Sequence, residues 1–579
     1  MKKLLIGNAA VARGAYEAGV RVVASYPGTP STEITEEIVK FDEVYAEWSP
    51  NEKVAAEVAI GASIGGARAM SCMKHVGLNV MADPVFTVSY TGVGGGLVFC
   101  VADDPGMHSS QNEQDSRHYA EAAKIPMLEP SDSAECKEFT KMAFSLSEKF
   151  DTPFFVRLST RVSHSQSLVE LDERCDAGLG DYEKNIPKYV MMPANAVKRH
   201  VFVEERLDAL RAFAEESEIN RVENNGSEIG VITAGIAYEY AKEALGDKAD
   251  FLKLGMVYPL PKKRILDFVK AHRTVYVIEE LDPVIETFCK SIGADVKGKE
   301  LFTLLGEYTP TMIRSAVLGT AAPECISASE PIPVRPPVMC AGCPHRGTFY
   351  VLKKLGLVVS GDIGCYTLGA VAPLASVDTT ICMGASVSAA LGMAKARGAE
   401  FNKKLVSVIG DSTFMHSGIT GLVDIVYNKG NNTVIILDNS ITGMTGHQDN
   451  PTTGKTIRGE ATKQVDLIKL CHAVGIDHVT VADPFDVKSF ERVVKEEVER
   501  EEPSVIIAQR PCALLKTVKY SGLCKITDKC RNCKVCMKLG CPAISVVDGK
   551  VVIDAAQCNG CGLCVNVCPF GAIEKEETV

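Results

Sequence analysis

Two polar side chains follow two apolar runs in the second half of the chain. Residues 405–409 lead to Asp411, and residues 434–437 lead to Asn439. Such runs are typical of strands in a parallel sheet with both faces buried, and ligands bind beyond the carboxyl ends of these strands. Carboxylate, amide and phosphate oxygens suit Mg²⁺, which prefers octahedral oxygen ligands. Side by side, Asp411 and Asn439 would hold a magnesium ion with a diphosphate, although two ordinary strand ends would give the same pattern.

Cysteines at metal-ligand spacing fill the last part of the chain. One run has the bacterial ferredoxin spacing C-x₂-C-x₂-C-x₃-C-P, and an earlier run has the same pattern with one extra residue before its last cysteine. Soft thiolates are the ligands that [4Fe–4S] cubes require, and the x₂ spacing lets one loop reach three corners of a cube. A structural zinc site is the alternative, but two runs closed by Cys-Pro favour iron–sulfur clusters. The two runs are Cys530, Cys533, Cys536, Cys541 and Cys558, Cys561, Cys564, Cys568.

The last cysteine of each run is expected to bind the other cluster, as in two-cluster ferredoxins. One cluster would then take the first three cysteines of the earlier run with Cys568, and the second would take the first three of the later run with Cys541. The extra residue lies in the chain segment that leads to Cys541, where we expect a longer loop to be tolerated. Cys524 lies outside the pattern and is interpreted as a spare thiol.

Length and composition indicate an ordinary multidomain protein. The 579 residues are too many for a single hydrophobic core and suggest about four domains. A content of 46% hydrophobic and 23% charged residues is typical of a soluble protein. A formal charge of −11 argues against nucleic-acid binding. Polar residues interrupt the apolar N-terminus, which is therefore interpreted as a strand, a turn and a helix start and not as a signal peptide. No apolar stretch predicts a membrane span. We therefore expect a cytoplasmic protein in which closely spaced cysteines are ligands.

The chain divides into four predicted domains with an α/β pattern in the first three. Residues 165–228 are charged and poorly periodic, so they are interpreted as connecting domains, and the Pro- and Ser-rich residues 322–338 as a linker. Buried strands are predicted at 21–26, 97–102, 154–158, 230–233 and 275–278, and a helix at 384–397. The predicted domains are 1–175, 225–325, 335–515 and 520–579.

Five further motifs are informative when they are taken together with the strand ends and the cysteine runs. They are Tyr26-Pro27-Gly28-Thr29-Pro30-Ser31-Thr32-Glu33, Asn51-Glu52-Lys53, residues 102–112, Cys340-Ala341-Gly342-Cys343-Pro344-His345 and residues 442–448. With them, the chain resembles the 2-oxoacid:ferredoxin oxidoreductases over nearly its whole length. The resemblance implies a thiamine diphosphate-binding fold, with two doubly wound α/β domains, a transketolase C-terminal-like domain and a two-cluster ferredoxin-like domain. The first domain would bind the pyrimidine ring and the third the diphosphate, with thiamine between them at a dimer interface.

By this resemblance, the third domain holds the magnesium and the diphosphate. Asp411 and Asn439 would bind Mg²⁺ through their side chains, and Ile441 through its main-chain carbonyl. Ser412 stands where many thiamine enzymes have glycine. The other residues expected to bind the cofactor are Gly384, Gly410, Gly443, Met444 and Thr445.

The same resemblance implies three residues at the reacting groups. Glu52 matches the glutamate that hydrogen-bonds the aminopyrimidine ring, with Glu57 as the rival five residues later. Thr29 matches a residue that binds the substrate carbonyl, although Gly28 replaces the bulkier residue often found before it. His345 is a candidate for contact with the substrate, and a structural histidine is the alternative.

Four further cysteines imply, by the same resemblance, a third [4Fe–4S] cluster close to the thiamine. They are Cys340, Cys343, Cys365 and Cys512, and buried thiols are the alternative because they are far apart in sequence. The remaining cysteines are interpreted as buried thiols: Cys72, Cys100, Cys136, Cys175, Cys289, Cys325, Cys382 and Cys471.

The resemblance implies oxidative decarboxylation of aryl 2-oxoacids, indolepyruvate above all, with thiamine as the electron sink. The electrons would pass through the clusters to ferredoxin, and coenzyme A would take the acyl group. A small beta subunit is implied, in a heterotetramer of two alpha and two beta chains, and the sequence leaves open which subunit binds coenzyme A. The alternatives are another 2-oxoacid substrate, a non-oxidative thiamine decarboxylase, and an electron-transfer subunit without thiamine chemistry.

Overall fold

The structure is a computed structural model that describes residues 1–175, 177–321 and 329–576. It contains two compact units, Met1–Ser327 and Ala328–Val579. Part of the predicted linker, residues 322–328, lies outside the described residues, as do Cys325 and the end of the predicted second domain. Across the described residues, no helix has the length and apolar character to cross a membrane.

A seven-stranded sheet forms the core of the first unit. All of its neighbouring strands run parallel except Met256–Tyr258, which pairs antiparallel with Met127–Leu128. Alternate residues of Leu97–Asp103 contribute to two different apolar clusters, so both faces of the sheet are covered. The strand order is Met256–Tyr258, Met127–Leu128, Phe154–Ser159, Leu97–Asp103, Ala69–Lys74, Val22–Ser25, Tyr45–Trp48.

Two smaller sheets complete the strands of the first unit. Lys2–Ile6 pairs antiparallel with Gln166–Glu170. A four-stranded sheet has the order Thr274–Ile278, Ile229–Ala234, Asp250–Leu254, Asn220–Glu223, and only its last strand is antiparallel. The helices of the unit are Gly7–Glu17, Thr32–Ile38, Glu52–Ile64, His75–Val80, Ala82–Thr91, Arg117–Ala123, Ser133–Phe150, Thr160–His164, Ile186–Tyr189, Pro193–Glu216, Gly235–Leu245, Lys262–Ala271, Val284–Ser291 and Pro310–Leu318, with a 3₁₀ turn at Gly246–Lys248.

The stretch 165–228, which was interpreted as connecting domains, contains regular elements. Its longest is the 24-residue helix Pro193–Glu216. The helix buries Val203, Leu207 and Leu210 together with Arg206, whose guanidinium donates to the carbonyls of Ser89 and Asp151. The helix has a cation within its buried stripe and exposed valines elsewhere, so its sequence lacks the apolar periodicity that would indicate a helix.

A five-stranded parallel sheet forms the core of the second unit. Its order is Val358–Ser360, Leu405–Gly410, Thr433–Asp438, Ser504–Gln509, His478–Ala482. The helices are His345–Leu355, Ala385–Arg397, Ala399–Asn402, Asp411–Thr413, Ile419–Tyr427, Leu467–Ala473, Val487–Val498 and Leu563–Val567, with 3₁₀ turns at Cys365–Ala370 and Val535–Leu539. A π-helical turn at Phe414–Gly418 joins two of these helices directly after the first predicted metal ligand.

The cysteine-rich end of the second unit contains two small antiparallel ribbons. Leu523–Ile526 pairs with Ile573–Glu576, and Ile544–Val547 pairs with Lys550–Ile553. Together with the parallel sheets, these ribbons give the α/β architecture with a small cysteine-rich domain that the sequence predicted.

Candidate functional site

The carboxyl ends of two neighbouring strands bring the predicted magnesium ligands together. Gly410 is paired with Leu437, so the chain leaves both strands at the same edge of the sheet. Asp411 is 2% exposed, and its Oδ2 accepts from the hydroxyl of Thr452 at 3.0 Å and from the amide of Asn450 at 3.4 Å. These two partners hold the carboxylate in place.

The environment of Asp411 favours a cation. Burial, and then the negative charge of Asp438, raise the pKa of Asp411 to about 7. A buried carboxylate without a positive partner is costly, and a metal ion would remove that cost. The oxygen donors present therefore fit the predicted Mg²⁺.

The loop after the second strand turns sharply at Ser440, whose φ is +59°. This turn directs the backbone N–H of Ile441 to the side-chain oxygen of Asn439 at 3.3 Å. The amide nitrogen of Asn439 lies 3.4 Å from Nε2 of His345. Burial lowers the pKa of His345 to about 4, so its imidazole is neutral near pH 7.

Two of the glycines predicted near the diphosphate, Gly410 and Gly384, occupy positions that exclude a side chain. A Cβ on Gly410 would lie 2.7 Å from the ring of Tyr366, and one on Gly384 would lie 2.5 Å from Cβ of Ser417. Gly384, at φ +86°, donates its N–H to Asp362 at 2.8 Å. Asp362, which follows the first strand of the sheet, thus fixes the start of the helix Ala385–Arg397 at the same edge.

The remaining predicted cofactor residues lie on two segments of the second unit. Ser412 is buried in the first turn after the strand, next to Asp411. Thr445 donates to Oε1 of Gln448 at 2.6 Å within a turn closed by the pairing of Thr442 with Gln448. Met444 is 52% exposed on this turn, so its side chain is accessible to a ligand or partner.

The four cysteines of the predicted third cluster lie around the Asn439 loop. Cys512 donates its backbone N–H to the carbonyl of Asn439 at 2.9 Å, and a Cβ on Gly443 would lie 3.5 Å from Sγ of Cys365. Burial, and then the nearby Cys512 and Cys340 thiols, raise the pKa of Cys365 to about 11. Cys343 donates its N–H to the carbonyl of Cys340. The fold thus gathers these cysteines beside the predicted metal-binding loop despite their separation in sequence.

The tail cysteines line two pockets, each with three cysteines of one run and the last cysteine of the other. The first pocket contains Cys530, Cys533, Cys536 and Cys568. The second contains Cys541, Cys558, Cys561 and Cys564. These are the two sets that the crossed arrangement assigns to separate clusters.

Cys524, interpreted as a spare thiol outside the cluster pattern, also lines the second pocket. It is 5% exposed, and its backbone N–H lies 3.5 Å from Sγ of Cys558. Within the described ranges, no group of three or more His, Cys, Asp or Glu side chains is arranged to hold a single metal ion. A [4Fe–4S] cube does not need such a group, because each iron binds a separate thiolate.

The other thiols are partly as predicted. Cys72, Cys100, Cys136, Cys289 and Cys471 are buried, whereas Cys175 and Cys382 are exposed, which contradicts the prediction for these two. Both exposed thiols lie outside regular elements, where apolar periodicity gives no information about burial.

In the first unit, the structure separates the two candidate glutamates. Glu52 begins the helix Glu52–Ile64 after the Asn51 cap and is 4% exposed. A Cβ on Gly77 would lie 2.5 Å from its carboxylate. Glu57 lies on the exposed face of the same helix and forms an ion pair with Lys53. A buried carboxyl group against glycine suits recognition of a cofactor ring better than a solvated ion pair does.

Thr29 is half-buried in the loop after the strand Val22–Ser25. Its carbonyl accepts from the hydroxyl of Ser109 at 3.1 Å, and the carbonyl of Ser109 accepts from Nζ of Lys74 at 2.8 Å. A Cβ on Gly28 would lie 3.2 Å from Cγ of Lys74, so the lysine stem occupies the space beside this glycine. The absence of a side chain at position 28 therefore leaves room for the buried Lys74 side chain.

Sequence reasoning missed four residues that complete these sites. Asn450 and Thr452 contact Asp411, Lys74 connects to the Thr29 loop, and Arg346 lines the second cysteine pocket. Only Arg346 had a local signal, because it follows His345 directly in the motif that begins at Cys340. The other three come from segments whose proximity depends on the fold.

Comparison with protein families matches three segments of the chain. Residues 13–207 match the family described as pyruvate flavodoxin/ferredoxin oxidoreductase, thiamine diP-binding. Residues 362–508 match the C-terminal TPP-binding domain of thiamine pyrophosphate enzymes, and residues 551–574 match the 4Fe-4S binding domain. These matches confirm the predicted thiamine-binding fold with an iron–sulfur domain at its end.

Curated relatives are similar over the whole chain. The indolepyruvate oxidoreductase subunit IorA of Archaeoglobus fulgidus is 41% identical over 100% of this chain and 98% of the relative. The protein of the same name from Pyrococcus horikoshii is 40% identical over 99% of this chain and 97% of the relative. A solved 2-oxoglutarate:ferredoxin oxidoreductase from Magnetococcus marinus has a TM-score of 0.48 and 18% identity, over 55% of this chain and 65% of that chain.

Proposed function

The chain belongs to the family of indolepyruvate oxidoreductase subunit IorA and is a 2-oxoacid:ferredoxin oxidoreductase; we propose that it oxidatively decarboxylates aryl 2-oxoacids, indolepyruvate in particular. The products would be carbon dioxide, reduced ferredoxin and an aryl acyl-coenzyme A. The names of the relatives support the aryl substrate.

One observation carries this proposal: the predicted metal-binding loop and the predicted proximal cysteines are part of one hydrogen-bonded structure. Cys512 is bonded to the backbone of Asn439, and Cys365 lies against Gly443. A non-oxidative thiamine enzyme needs no thiols at this position. An electron-transfer subunit without thiamine chemistry needs no buried Asp411 at the end of the neighbouring strand.

In this proposal, Asp411, Asn439 and the carbonyl of Ile441 hold Mg²⁺, and Gly384, Gly410, Ser412, Gly443, Met444 and Thr445 surround the diphosphate. Bound thiamine would supply the electron sink for loss of carbon dioxide. The glycines let the backbone approach the phosphates, and Asn450 and Thr452 keep the Asp411 carboxylate aimed at the metal.

Three side chains have proposed roles at the reacting groups. Glu52 hydrogen-bonds the aminopyrimidine ring from its buried position at the start of a helix. Thr29 binds the substrate carbonyl. His345 is neutral near pH 7 and supplies a hydrogen bond to the substrate while it contacts Asn439.

The clusters and partners follow from the same proposal. Two [4Fe–4S] clusters occupy the tail pockets, and a third is bound by Cys340, Cys343, Cys365 and Cys512. The relatives are named as subunits, which supports a partner subunit. We assign the partner as a small beta subunit in a heterotetramer of two alpha and two beta chains, working in the cytoplasm.

The test is to purify the chain with its partner subunit under anaerobic conditions and measure thiamine, magnesium, iron and sulfide. About twelve irons per chain would support three clusters, and about eight would exclude the proximal one. Ferredoxin reduction is then compared for indolepyruvate, phenylpyruvate and pyruvate, with and without coenzyme A. Faster reduction with pyruvate than with both aryl substrates would contradict the aryl assignment.

A further inference from the structure

Arg346 connects the loop of the proximal cysteines to the loop of a tail cluster. It is 2% exposed, and its Nε donates to the carbonyl of Cys340 at 3.0 Å while Nη2 donates to the carbonyl of Met339. On the other side, Nη1 donates to the carbonyls of Leu539, at 2.9 Å, and Gly540. One guanidinium thus binds four backbone carbonyls from two segments that are far apart in sequence.

This guanidinium has no acidic partner in the part of the chain that the structure describes. All of its hydrogen bonds go to neutral carbonyls, and no carboxylate lies within ion-pair distance. A buried cation without a countercharge is costly. The groups around it that can carry negative charge are cysteines, in particular Cys343, Cys541, Cys340 and Cys561. They belong to the proximal set and to the second tail set.

The extra residue of the earlier cysteine run lies in the segment whose backbone carbonyls accept hydrogen bonds from Arg346. Leu539 and Gly540 lie between Cys536 and Cys541, in the stretch that is one residue longer than the ferredoxin pattern. Gly540 has a φ of +63°, and a Cβ there would lie 2.8 Å from Pro373 and 3.3 Å from Nη1 of Arg346. The longer segment therefore has a structural role, because two of its backbone carbonyls accept hydrogen bonds from Arg346.

A second contact joins the proximal loop to the later cysteine run. Asn559, between Cys558 and Cys561, donates from Nδ2 to the carbonyl of Ala341 at 2.9 Å. A Cβ on Gly342 would lie 2.3 Å from this nitrogen, so glycine is required for the approach. Ala341, Gly342 and Arg346 all line the second tail pocket. The proximal loop thus forms one wall of that pocket.

We propose that Arg346 is a positioning residue and shared counter-cation for the proximal cluster and the second tail cluster, and that it raises the reduction potentials of both. The inference rests on the cluster assignments of the proposed function. A four-thiolate cube carries net negative charge that increases on reduction, so a fixed buried cation favours the reduced form. The other tail pocket, with Cys530, Cys533, Cys536 and Cys568, is not lined by Arg346 and should be affected much less.

The experiment is a redox titration followed by electron paramagnetic resonance on the anaerobically purified holoenzyme. The variants are Arg346→Gln, which removes the charge and keeps a donor, and Arg346→Lys, which keeps the charge. Lys538→Met is the control, because it removes an exposed cation three residues before Cys541. Iron and sulfide contents are measured for each protein, which separates loss of a cluster from a change in its potential.

We expect two of the three midpoint potentials to become more negative in Arg346→Gln, with Arg346→Lys closer to the wild type and Lys538→Met unchanged. Wild-type potentials in Arg346→Gln at full iron content would overturn the proposal. Equal shifts in Arg346→Lys and Arg346→Gln would also overturn it. In that case the loss of the arginine hydrogen bonds, and not the loss of the positive charge, would explain the change in potential. If the wild type contains only about eight irons, the proximal assignment fails, and the test continues on the second tail cluster alone.

Discussion

The backbone N–H of Cys512 donates to the backbone carbonyl of Asn439 at 2.9 Å. The two residues follow the neighbouring strands Ser504–Gln509 and Thr433–Asp438, so the contact continues the pairing of the parallel sheet. A predicted cluster ligand and a predicted metal ligand are thereby separated by one hydrogen bond. If the proposed function is correct, electrons from the thiamine site would have a short route to the cysteines.

Glu52→Gln should reduce 2-oxoacid-dependent ferredoxin reduction by about 10²–10⁴-fold, the range for loss of a positioned acid or base. The amide fills the same buried space but cannot exchange the proton. Iron, sulfide and thiamine contents should stay at the wild-type level. Glu57→Gln is the matched control, since it changes an exposed ion pair on the same helix. Equal activity of the two variants would refute the choice of Glu52.

Gly77→Ala should lower both activity and stability. The added Cβ would lie 2.5 Å from Glu52 Oε1, so the carboxyl group must move, at a cost of about 1–3 kcal/mol. Gly61→Ala is the control, because it lies in the helix Glu52–Ile64 with nothing within 4 Å of the new Cβ, and should stabilise the chain by about 0.4–1 kcal/mol. Thermal unfolding and ferredoxin reduction are measured for both, and unchanged activity in Gly77→Ala would contradict the proposed placement of Glu52.

Stability should depend on pH through Glu280, whose pKa burial raises to about 7. The folded state keeps the proton that the unfolded state loses near pH 4.5, so this contribution to stability is complete below pH 4.5 and is lost as pH rises through about 7. Glu280→Gln should therefore gain about 3 kcal/mol relative to the wild type at pH 8, with little gain at pH 4.5. Thermal midpoints at both pH values test this, with the exposed Glu228→Gln as control. Identical gains at the two pH values would rule out Glu280 titration as the cause.

Cys541→Ser and Cys524→Ser should differ in iron content. Both cysteines line the second tail pocket, but the crossed pattern makes only Cys541 a ligand. We expect Cys524→Ser to retain wild-type iron and Cys541→Ser to lose up to about four irons per chain. Iron analysis with electron paramagnetic resonance checks this, and the reverse result would make Cys524 the fourth ligand.

The sequence predicted the elements whose signals are local. The apolar strands that precede Asp411 and Asn439 form neighbouring parallel strands as expected, because buried strands are continuous apolar runs. The sequence did not indicate the helix at 193–216, where Arg206 interrupts the apolar stripe. A buried cation bonded to distant carbonyls has no signature in local periodicity.

The sequence by itself determined the chemistry, since cysteine spacing and strand-end residues specify soft thiolates and hard oxygens. Only the tertiary structure decided which of these groups are neighbours. It distinguished Glu52 from Glu57 by burial and placed Cys524 in the second tail pocket. It also placed the longer segment before Cys541 within hydrogen-bond distance of Arg346. The physical reason is that spacing constrains residues on one loop, whereas burial, countercharge and contacts between distant loops arise when the whole chain packs.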